Sequence, residues 1–478
     1  MDGLNKKKSV NPYILVIISF AAVILTGALL LCMPWANKYG QWLWRYDTGE
    51  QVITFWDCLF TAVSATCVTG LQPFARPIGE TLTFGGQLVL LVMIQIGGLG
   101  FITILTFVIT LFKRKLEFRN RYFISQMVNS TNFADVIKFV RKLIVISIVC
   151  ETIGTILGLP VFLQMYSNPL QAVWVSVFHS VSAFNNAGFD LFKNSLVGGV
   201  VGINGETVAH GWYVYLCVYT MLLIVVGGIS FLVILEVFDR KKKPKQWRTF
   251  TKIVLTTTAI LLVSGFALFV CTECFKSENR MTVLDAMFQS VTCRTAGFAT
   301  YNQDYLSTAG KAISSVLMFI GGSPISTAGG IKTTTIYMIV LAMISYFSGR
   351  KTTSFKRTYS PSMVVKAMSL MFIVIVLILL AYVGVNTFGL RAGVKFSDLG
   401  LKTPYSLACA YEVFSAMGTV GLSIGIEPYL SIGSKIVLCL IMFAGRIGPI
   451  TFLQIFQTNM DKKEKLHYQY VEEDFLIG

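Results

Sequence analysis

The chain has 478 residues, 54% hydrophobic and 13% charged, with a mean hydropathy of +0.67. A soluble domain carries about 25% charged residues, so an ordinary cytosolic protein is excluded, and an aromatic content of 13% excludes a disordered chain. The formal charge of +16 suits a nucleic-acid partner only until the bases are placed along the chain.

A bilayer core needs about 20 apolar residues in helix to cross it. In chain order the candidates are 12–34, 82–112, 142–165, 212–235, 251–271, 311–347, 367–390 and 433–458. Four of these (12–34, 82–112, 212–235 and 367–390) carry no Asp, Glu, Lys or Arg. Backbone amides in lipid must be satisfied within a helix or a closed barrel, and runs this long predict eight helical spans. The first run, 23 residues, exceeds a signal peptide's apolar region of about 7–15 and is taken as a span.

Most of the 40 Lys and Arg fall in five clusters: Lys6–Lys8, Lys113 to Lys142, Arg240 to Lys252, Arg350 to Lys366, and Lys462, Lys463 and Lys465. Each lies at a terminus or between consecutive pairs of spans. The positive-inside rule then places both termini and the basic loops in the cytoplasm, and no nucleic-acid partner is expected. Ten Cys are scattered, Cys271 and Cys274 forming one Cys-x-x-Cys, and three His stand apart. Without a companion pair these predict no metal centre.

A segment recurs four times between spans. It reads Phe60-Thr-Ala-Val-Ser-Ala-Thr-Cys-Val-Thr-Gly70-Leu71, then Phe178-His-Ser-Val-Ser-Ala-Phe-Asn-Asn-Ala-Gly188-Phe189, then Phe288-Gln-Ser-Val-Thr-Cys-Arg-Thr-Ala-Gly297-Phe298, and finally Tyr411-Glu-Val-Phe-Ser-Ala-Met-Gly-Thr-Val-Gly421-Leu422. The glycines are 118, 109 and 124 residues apart, and Ser64-Ala65, Ser182-Ala183 and Ser415-Ala416 precede three of them. Short apolar helices are predicted at about 55–65, 171–183, 283–292 and 404–416. Too short to cross, they must re-enter, and Pro169 and Pro404 suit a first turn.

The spans after the glycines also correspond, with Gly97-Gly98, Gly227-Gly228, Gly321-Gly322 and Gly445-Arg446 in comparable places. The third continues Ser323-Pro324-Ile325-Ser326-Thr327-Ala-Gly329-Gly330-Ile331-Lys332-Thr-Thr-Thr335. This cannot be a continuous lipid-facing helix, and irregular backbone at such depth belongs where it lines a cavity. Lys332 with Thr333 is no phosphate loop, since Ile331 stands where glycine is required.

Four re-entrant loops around one axis give rings of carbonyl oxygens that can replace a cation's hydration shell. Glycine permits the backbone angles this needs, and helix C-termini aimed at the axis favour cations. The candidate ion-binding residues are Thr66, Cys67, Val68, Thr69 and Gly70; Asn185, Asn186, Ala187 and Gly188; Arg294, Thr295, Ala296 and Gly297; and Gly418, Thr419, Val420 and Gly421. Against this stands simple packing, since small residues are common between membrane helices. Recurrence at one place in four repeats favours the filter.

With these motifs the chain resembles the Trk/Ktr/HKT superfamily of potassium transporters, most like the bacterial KtrB membrane subunit. The resemblance spans nearly the whole chain, including the Gly-Gly-Ser-Pro…Gly-Gly-Ile-Lys-Thr-Thr-Thr loop and Gly445-Arg446-Ile-Gly448-Pro449. It implies K⁺ uptake through a four-loop filter in a bacterial cytoplasmic membrane, with no enzymatic activity. It also implies a homodimer docked on a cytosolic nucleotide-binding ring of the KtrA type, which carries the regulatory nucleotide, and Na⁺ as a candidate activator. No cofactor is expected in this chain. Glycine at all four filter positions resembles the potassium class, serine at the first going with sodium-selective members. Cys67, and Ile325 in place of a glycine, depart from the family pattern.

The resemblance further implies a gate formed by Gly321, Gly322, Ser323, Pro324, Ser326, Thr327, Gly329, Gly330 and Lys332 with Arg446. Two readings of Arg446 stay open, a pore barrier and a structural contact to loop carbonyls. Arg294 is expected to point behind the filter and pair with Asp285 or Glu412, because intramembrane charge usually pairs within the bundle. Asn185 and Asn186 are expected to prop the second loop. The fold expected is an all-α polytopic membrane protein with fourfold pseudo-symmetry: units 1–115, 116–245, 246–355 (intramembrane loop 321–335) and 356–460, and a cytoplasmic tail 461–478.

Overall fold

The computed structural model describes residues 12–47, 51–100, 133–239 and 243–448. Lys6–Lys8, most of the cluster from Lys113 to Lys142, the end of the span expected at 82–112, Pro449 and the tail 461–478 lie outside the described residues.

Among the described residues the chain is mostly helical, with fifteen helices in a recurring order. First come α1 (Pro12–Cys32), short α2 (Phe55–Thr66), a single turn α3 (Ile78–Thr81) and α4 (Phe84–Leu99). Next are α5 (Phe133–Met165), short α6 (Pro169–Phe184), α7 (His210–Gly228) and α8 (Phe231–Val237). Then follow α9 (Thr249–Phe269), short α10 (Val283–Thr292), α11 (Thr308–Phe319) and α12 (Thr333–Phe347), and last α13 (Pro361–Phe388), short α14 (Tyr405–Gly418) and α15 (Ile432–Ile447). By length and composition four stretches of the described residues can cross a membrane: Phe139–Met165, His210–Gly228, Thr249–Cys274 and Pro361–Phe388. Ile17–Cys32, Phe84–Leu99 and Thr333–Phe347 are apolar but shorter.

Burial runs opposite to length. The long helices expose apolar side chains such as Ile156, Leu222, Val263 and Leu380, whereas Phe60 and the residues from Thr61 to Thr66 of α2 are all buried. An apolar exterior around a buried, partly polar interior is what a lipid solvent selects. Exposed Trp42, Trp44 and Trp56 cluster around the start of α2, and exposed Trp35 lies against Gly85 at the start of α4, as aromatic residues do at a membrane interface.

Local chemistry starts the short helices. A hairpin of β1 (Arg45–Asp47) and β2 (Val52–Thr54) pairs Arg45 with Thr54 and delivers Thr54 as the N-cap of α2. The Asp57 carboxylate accepts from the Thr54 amide at 2.7 Å, and Thr282 with Asp285 repeats this box at α10. Pro169 opens α6 behind an Asn168 cap, as expected, while Pro404 is itself the N-cap of α14 rather than part of its first turn.

The packing is cyclic. The helix after each glycine loop lies against the next short helix: α4 on α6, α7 on α10, α11 on α14, and α15 back on α2. A buried pair reinforces this closure, the Lys435 ammonium of α15 standing 2.5 Å from the Asp57 carboxylate of α2. Two predicted spans are interrupted. The stretch 311–347 is non-helical between Phe319 and Thr333, as its glycines require, and 212–235 breaks at Ile229–Ser230, which the sequence reading took as continuous.

Candidate functional site: a ring of glycines over a crossing loop

Gly70, Gly188, Gly297 and Gly421 all have positive φ, and so does the residue two before each: Val68, Asn186, Thr295 and Thr419. Left-handed φ at β-branched Val and Thr is a genuine outlier. Such strain, at about 1–3 kcal/mol per residue, persists only where the surroundings over-determine it. Its recurrence at one register in four loops marks a shared backbone path, alternating in hand, that redirects successive carbonyls.

The loops close on each other. A side-chain carbon added at Gly70 would stand 2.6 Å from the Ala187 carbonyl oxygen, and one at Gly188 2.8 Å from that of Ala296. Carbons at Gly297 and Gly421 would crowd the carbonyls of Val420 and Thr69 still more tightly. Each glycine thus faces the carbonyl preceding the next glycine, in the order 70, 188, 297, 421 and back to 70.

A residue type noticed in the sequence without a role holds this path. The amides of Thr69, Ala187 and Val420 donate to the carbonyls of Ser64, Ser182 and Ser415 at 2.8, 2.8 and 2.9 Å. The Ser64 and Ser415 hydroxyls accept from the Gly70 and Gly421 amides, each at 3.0 Å. In the shorter third loop the Ala296 amide donates to the Thr292 carbonyl at 3.0 Å, and the Thr292 hydroxyl donates to the Phe298 carbonyl at 2.6 Å. Among the described residues the buried hydroxyls of Thr66, Thr69 and Thr419 have no partner.

The residue three before each glycine stands at the end of its short helix: Cys67 and Asn185 are the caps of α2 and α6, Arg294 follows the cap Cys293 of α10, and Gly418 is the last residue of α14. Cys67 is buried with the Cys439 thiol as an electrostatic neighbour. The Asn185 amide donates to Gln95 Oε1 and Glu151 Oε1, both at 3.0 Å, and Gly418 lies against the Met318 backbone. Arg294 donates to the Thr258 carbonyl at 3.5 Å. The expected pairing of Arg294 with Asp285 or Glu412 does not occur. Asp285 is taken by the cap of its own helix, and Glu412 accepts from the Ser423 hydroxyl and the Ile424 amide, both at 2.9 Å. Oriented by its neighbours, the Asn186 amide donates to the carbonyls of Ile224 and Ala183 at 3.2 and 3.1 Å. Both asparagines are thus hydrogen-bonded to elements around the second loop.

On one side the ring floors a chamber of about 450 Å³ that all four glycines line, with Asp190 and Glu427 in its wall. Burial pushes the Asp190 carboxyl up to about 6, against hydrogen bonds from the Ser195 hydroxyl at 2.6 Å and the Phe192 amide at 3.1 Å. Burial pushes Glu427 up to about 7, with the Ser423 hydroxyl and Lys435 opposing.

On the other side lies the segment between α11 and α12. Gly329 packs against the Thr419 side chain, and Gly330 against Gly418. Within the segment Gly321 meets the Gly329 carbonyl and Gly322 the Ala328 methyl, so added side chains have no room. The amides of Ser323 and Thr327 donate to the Gly228 and Gly227 carbonyls at 3.2 and 3.4 Å, and the Phe231 amide donates to the Ile325 carbonyl at 3.0 Å. These bonds replace the helical ladder where α7 stops. The Gly330 amide donates to the Gly445 carbonyl at 3.3 Å. Ser326 turns back on the Ser323 carbonyl at 2.7 Å, beside half-buried Pro324, and Lys332 donates to the Ala328 carbonyl at 2.6 Å within the segment. Arg446 joins three elements, donating to the carbonyls of Thr327 and Gly97, and to that of Gly98 at 3.1 Å.

The Asp57–Lys435 pair was missed in the sequence. Its signal was there, as a lone acid in one short apolar helix and a lone lysine in a span.

Long apolar helices packed around four short buried helices whose loops close in a glycine ring define the class: a helical membrane protein. The family model described as cation transport protein, TrkH, matches residues 36–468, and the chain belongs to that family, which is one of transporters and not of enzymes. It is 32% identical to the potassium/sodium uptake protein NtpJ of Enterococcus hirae, over 99% of this chain and 98% of that protein. It is 31% identical to the Ktr system potassium uptake protein B of Bacillus subtilis, over 100% and 99%. The crystal structure of the potassium transporter TrkH from Vibrio parahaemolyticus superposes with a TM-score of 0.65 over 95% of this chain and 86% of that one. At 16% identity this last likeness concerns the fold alone.

Proposed function

We propose that the chain takes up K⁺ across a bacterial cytoplasmic membrane, by passive conduction through a filter made of its four glycine loops. The observation that carries this reading is the cyclic approach of each filter glycine to the carbonyl before the next. A bare cation on that axis meets oxygens of Thr69, Ala187, Ala296 and Val420 in place of water, the arrangement that makes dehydration affordable in a selective channel. The C-termini of α2, α6, α10 and α14 add partial negative charge, and the unpartnered threonine hydroxyls can take up ion or water. One charge falling through 100 mV gains about 2.3 kcal/mol, enough to drive uptake without ATP hydrolysis.

Eight spans with four re-entrant pore helices, both termini cytoplasmic, accommodate the cyclic packing and the charge clusters. The segment 321–335 with Arg446 is the gate beneath the filter, lying across the axis below Gly418 and Thr419. Arg446 is both a cationic barrier and the tie that keeps the segment there. By its resemblance to the Ktr type the chain forms a homodimer docked on a KtrA-type ring that senses nucleotide, and the basic loops suit such docking.

A second reading, a sodium-selective or sodium-coupled transporter on the same fold, is favoured by the name of the Enterococcus hirae relative. Rubidium uptake into proteoliposomes under competing K⁺ and Na⁺ separates the two. K⁺ alone should suppress uptake. Equal suppression by Na⁺ supports the second reading, and no uptake by folded protein supplied with its ring partner overturns both.

A further inference from the structure

Away from the ring, a groove of about 1120 Å³ runs between α5, α8 and the start of α9. Its walls are apolar. Val145, Val149 and Ile153 of α5 line it and are 58%, 48% and 51% exposed, and Leu232 and Leu235 of α8 stand in the same groove. Its lining reaches Pro324 and Ile325 of the crossing segment, and the Phe231 amide at the start of α8 holds the Ile325 carbonyl at 3.0 Å.

The mouth is different. Lys142 and Arg248 line it with exposed side chains that make no hydrogen bond or ion pair with another described residue. The two acids beside them are already engaged. Glu236 accepts from the Arg248 backbone amide at 3.2 Å and from the Thr251 hydroxyl at 2.5 Å, and Asp239 is partnered as well. Lys142 and Arg248, without a side-chain partner among the described residues, stand at the head of an apolar trough and complement an amphiphile with an anionic head. A trough opening at the depth of membrane spans is filled by acyl chains rather than water, so the occupant is a lipid.

We propose that this groove holds one anionic phospholipid, its phosphate between Lys142 and Arg248 and an acyl chain along α5 and α8 that ends against Ile325. The proposal rests on the transporter reading only in placing the groove in a bilayer. The lipid touches the crossing segment at the point where α8 grips it, so membrane composition acts on the gate.

Native mass spectrometry of the full-length protein, titrated with phosphatidylglycerol or phosphatidylcholine, tests this without ion flux. The native chain should retain phosphatidylglycerol about thirtyfold better, two bases each contributing near the usual value for a basic residue at an anionic surface. The double change Lys142→Gln with Arg248→Gln should abolish that preference and spare phosphatidylcholine retention. Val149→Trp, filling the trough, should weaken both lipids. Equal retention of the two lipids by the native chain, or an unchanged preference in the double variant, overturns the proposal. So does a dimer, rather than a bound lipid, that is lost with Val149→Trp. Should Val149→Trp fail to fold, the two surface substitutions decide alone. Because the assay reads mass, a protein that conducts nothing can still carry the site, and a conducting one can lack it.

Discussion

The glycine ring and the segment beneath it are both irregular backbone enclosed by apolar helices, yet they are built in opposite ways. The ring is repeated four times, and each loop is held by its own short helix through Ser64, Ser182, Thr292 or Ser415. The crossing segment occurs once and is held by other parts of the chain: Gly227 and Gly228, Gly445, and Arg446. A loop bonded to its own helix keeps its geometry when its neighbours shift. One bonded to α7, α8 and α15 moves when any of them does. The first suits a filter, which must not change shape, and the second a gate, which must.

Breaking the ring should give the largest effect. Alanine at Gly421 or Gly297 meets a backbone carbonyl that cannot yield, so uptake of rubidium should fall below detection in folded protein. Alanine at Gly188, where the approach is loosest at 2.8 Å, should leave conduction with reduced K⁺ over Na⁺ discrimination. Equal losses at all four positions would remove the graded close approach from the account.

Breaking the segment should act in the opposite sense. Arg446→Ala removes donors from the carbonyls of Thr327, Gly97 and Gly98, each a charge-assisted bond of about 1.5–3 kcal/mol. Uptake without an activating partner should rise about tenfold while selectivity holds. Arg446→Lys should restore little, since a point charge cannot serve both sides as a guanidinium does. Reduced uptake with intact folding would return Arg446 to a purely structural role.

Smaller effects sharpen the contrast. Ser415→Ala removes one clamp from the fourth loop, roughly 1 kcal/mol, and should lower K⁺ over Na⁺ selectivity about fivefold without changing basal opening. Ile325 holds φ at +56°, costly for a β-branched residue at about 1–3 kcal/mol, and Ile325→Gly should relax the segment. A few-fold rise in uptake and a higher thermal midpoint are expected together. A lower midpoint would show that the side chain's packing outweighs its strain.

The smallest effect concerns pH. Burial holds Glu427 up to about 7, above its unfolded value, so its contribution to stability is fully present below about pH 4.5 and is lost as pH rises through 7. Over that upper range the chamber gains negative charge, and cation uptake should rise modestly in native protein. Glu427→Gln should flatten the rise in a flux titration.

Much of the ring was legible in the sequence, because repetition exposes what one copy hides. The four short helices fall within two residues of their expected limits, and the break before Thr333 follows from its glycines. What stayed hidden depended on partners distant in sequence. The break at Ile229–Ser230 has no proline or charge to announce it. It exists because Ser323 and Thr327 take the Gly227 and Gly228 carbonyls. Arg294 was assigned an acid because charges in membranes usually pair, but capping had already taken Asp285, and Ser423 and Ile424 had taken Glu412. The inward–outward division within each loop was hidden only in part: Arg294 and Asn185 were expected to turn away from the axis, whereas nothing in the sequence set Cys67 apart from its neighbours.

Anomalous diffraction from crystals grown in rubidium locates the ion itself. Density should stand on the axis, coordinated by the carbonyls of Thr69, Ala187, Ala296 and Val420. An empty axis, with rubidium bound elsewhere in the same crystals, would contradict the four-loop filter.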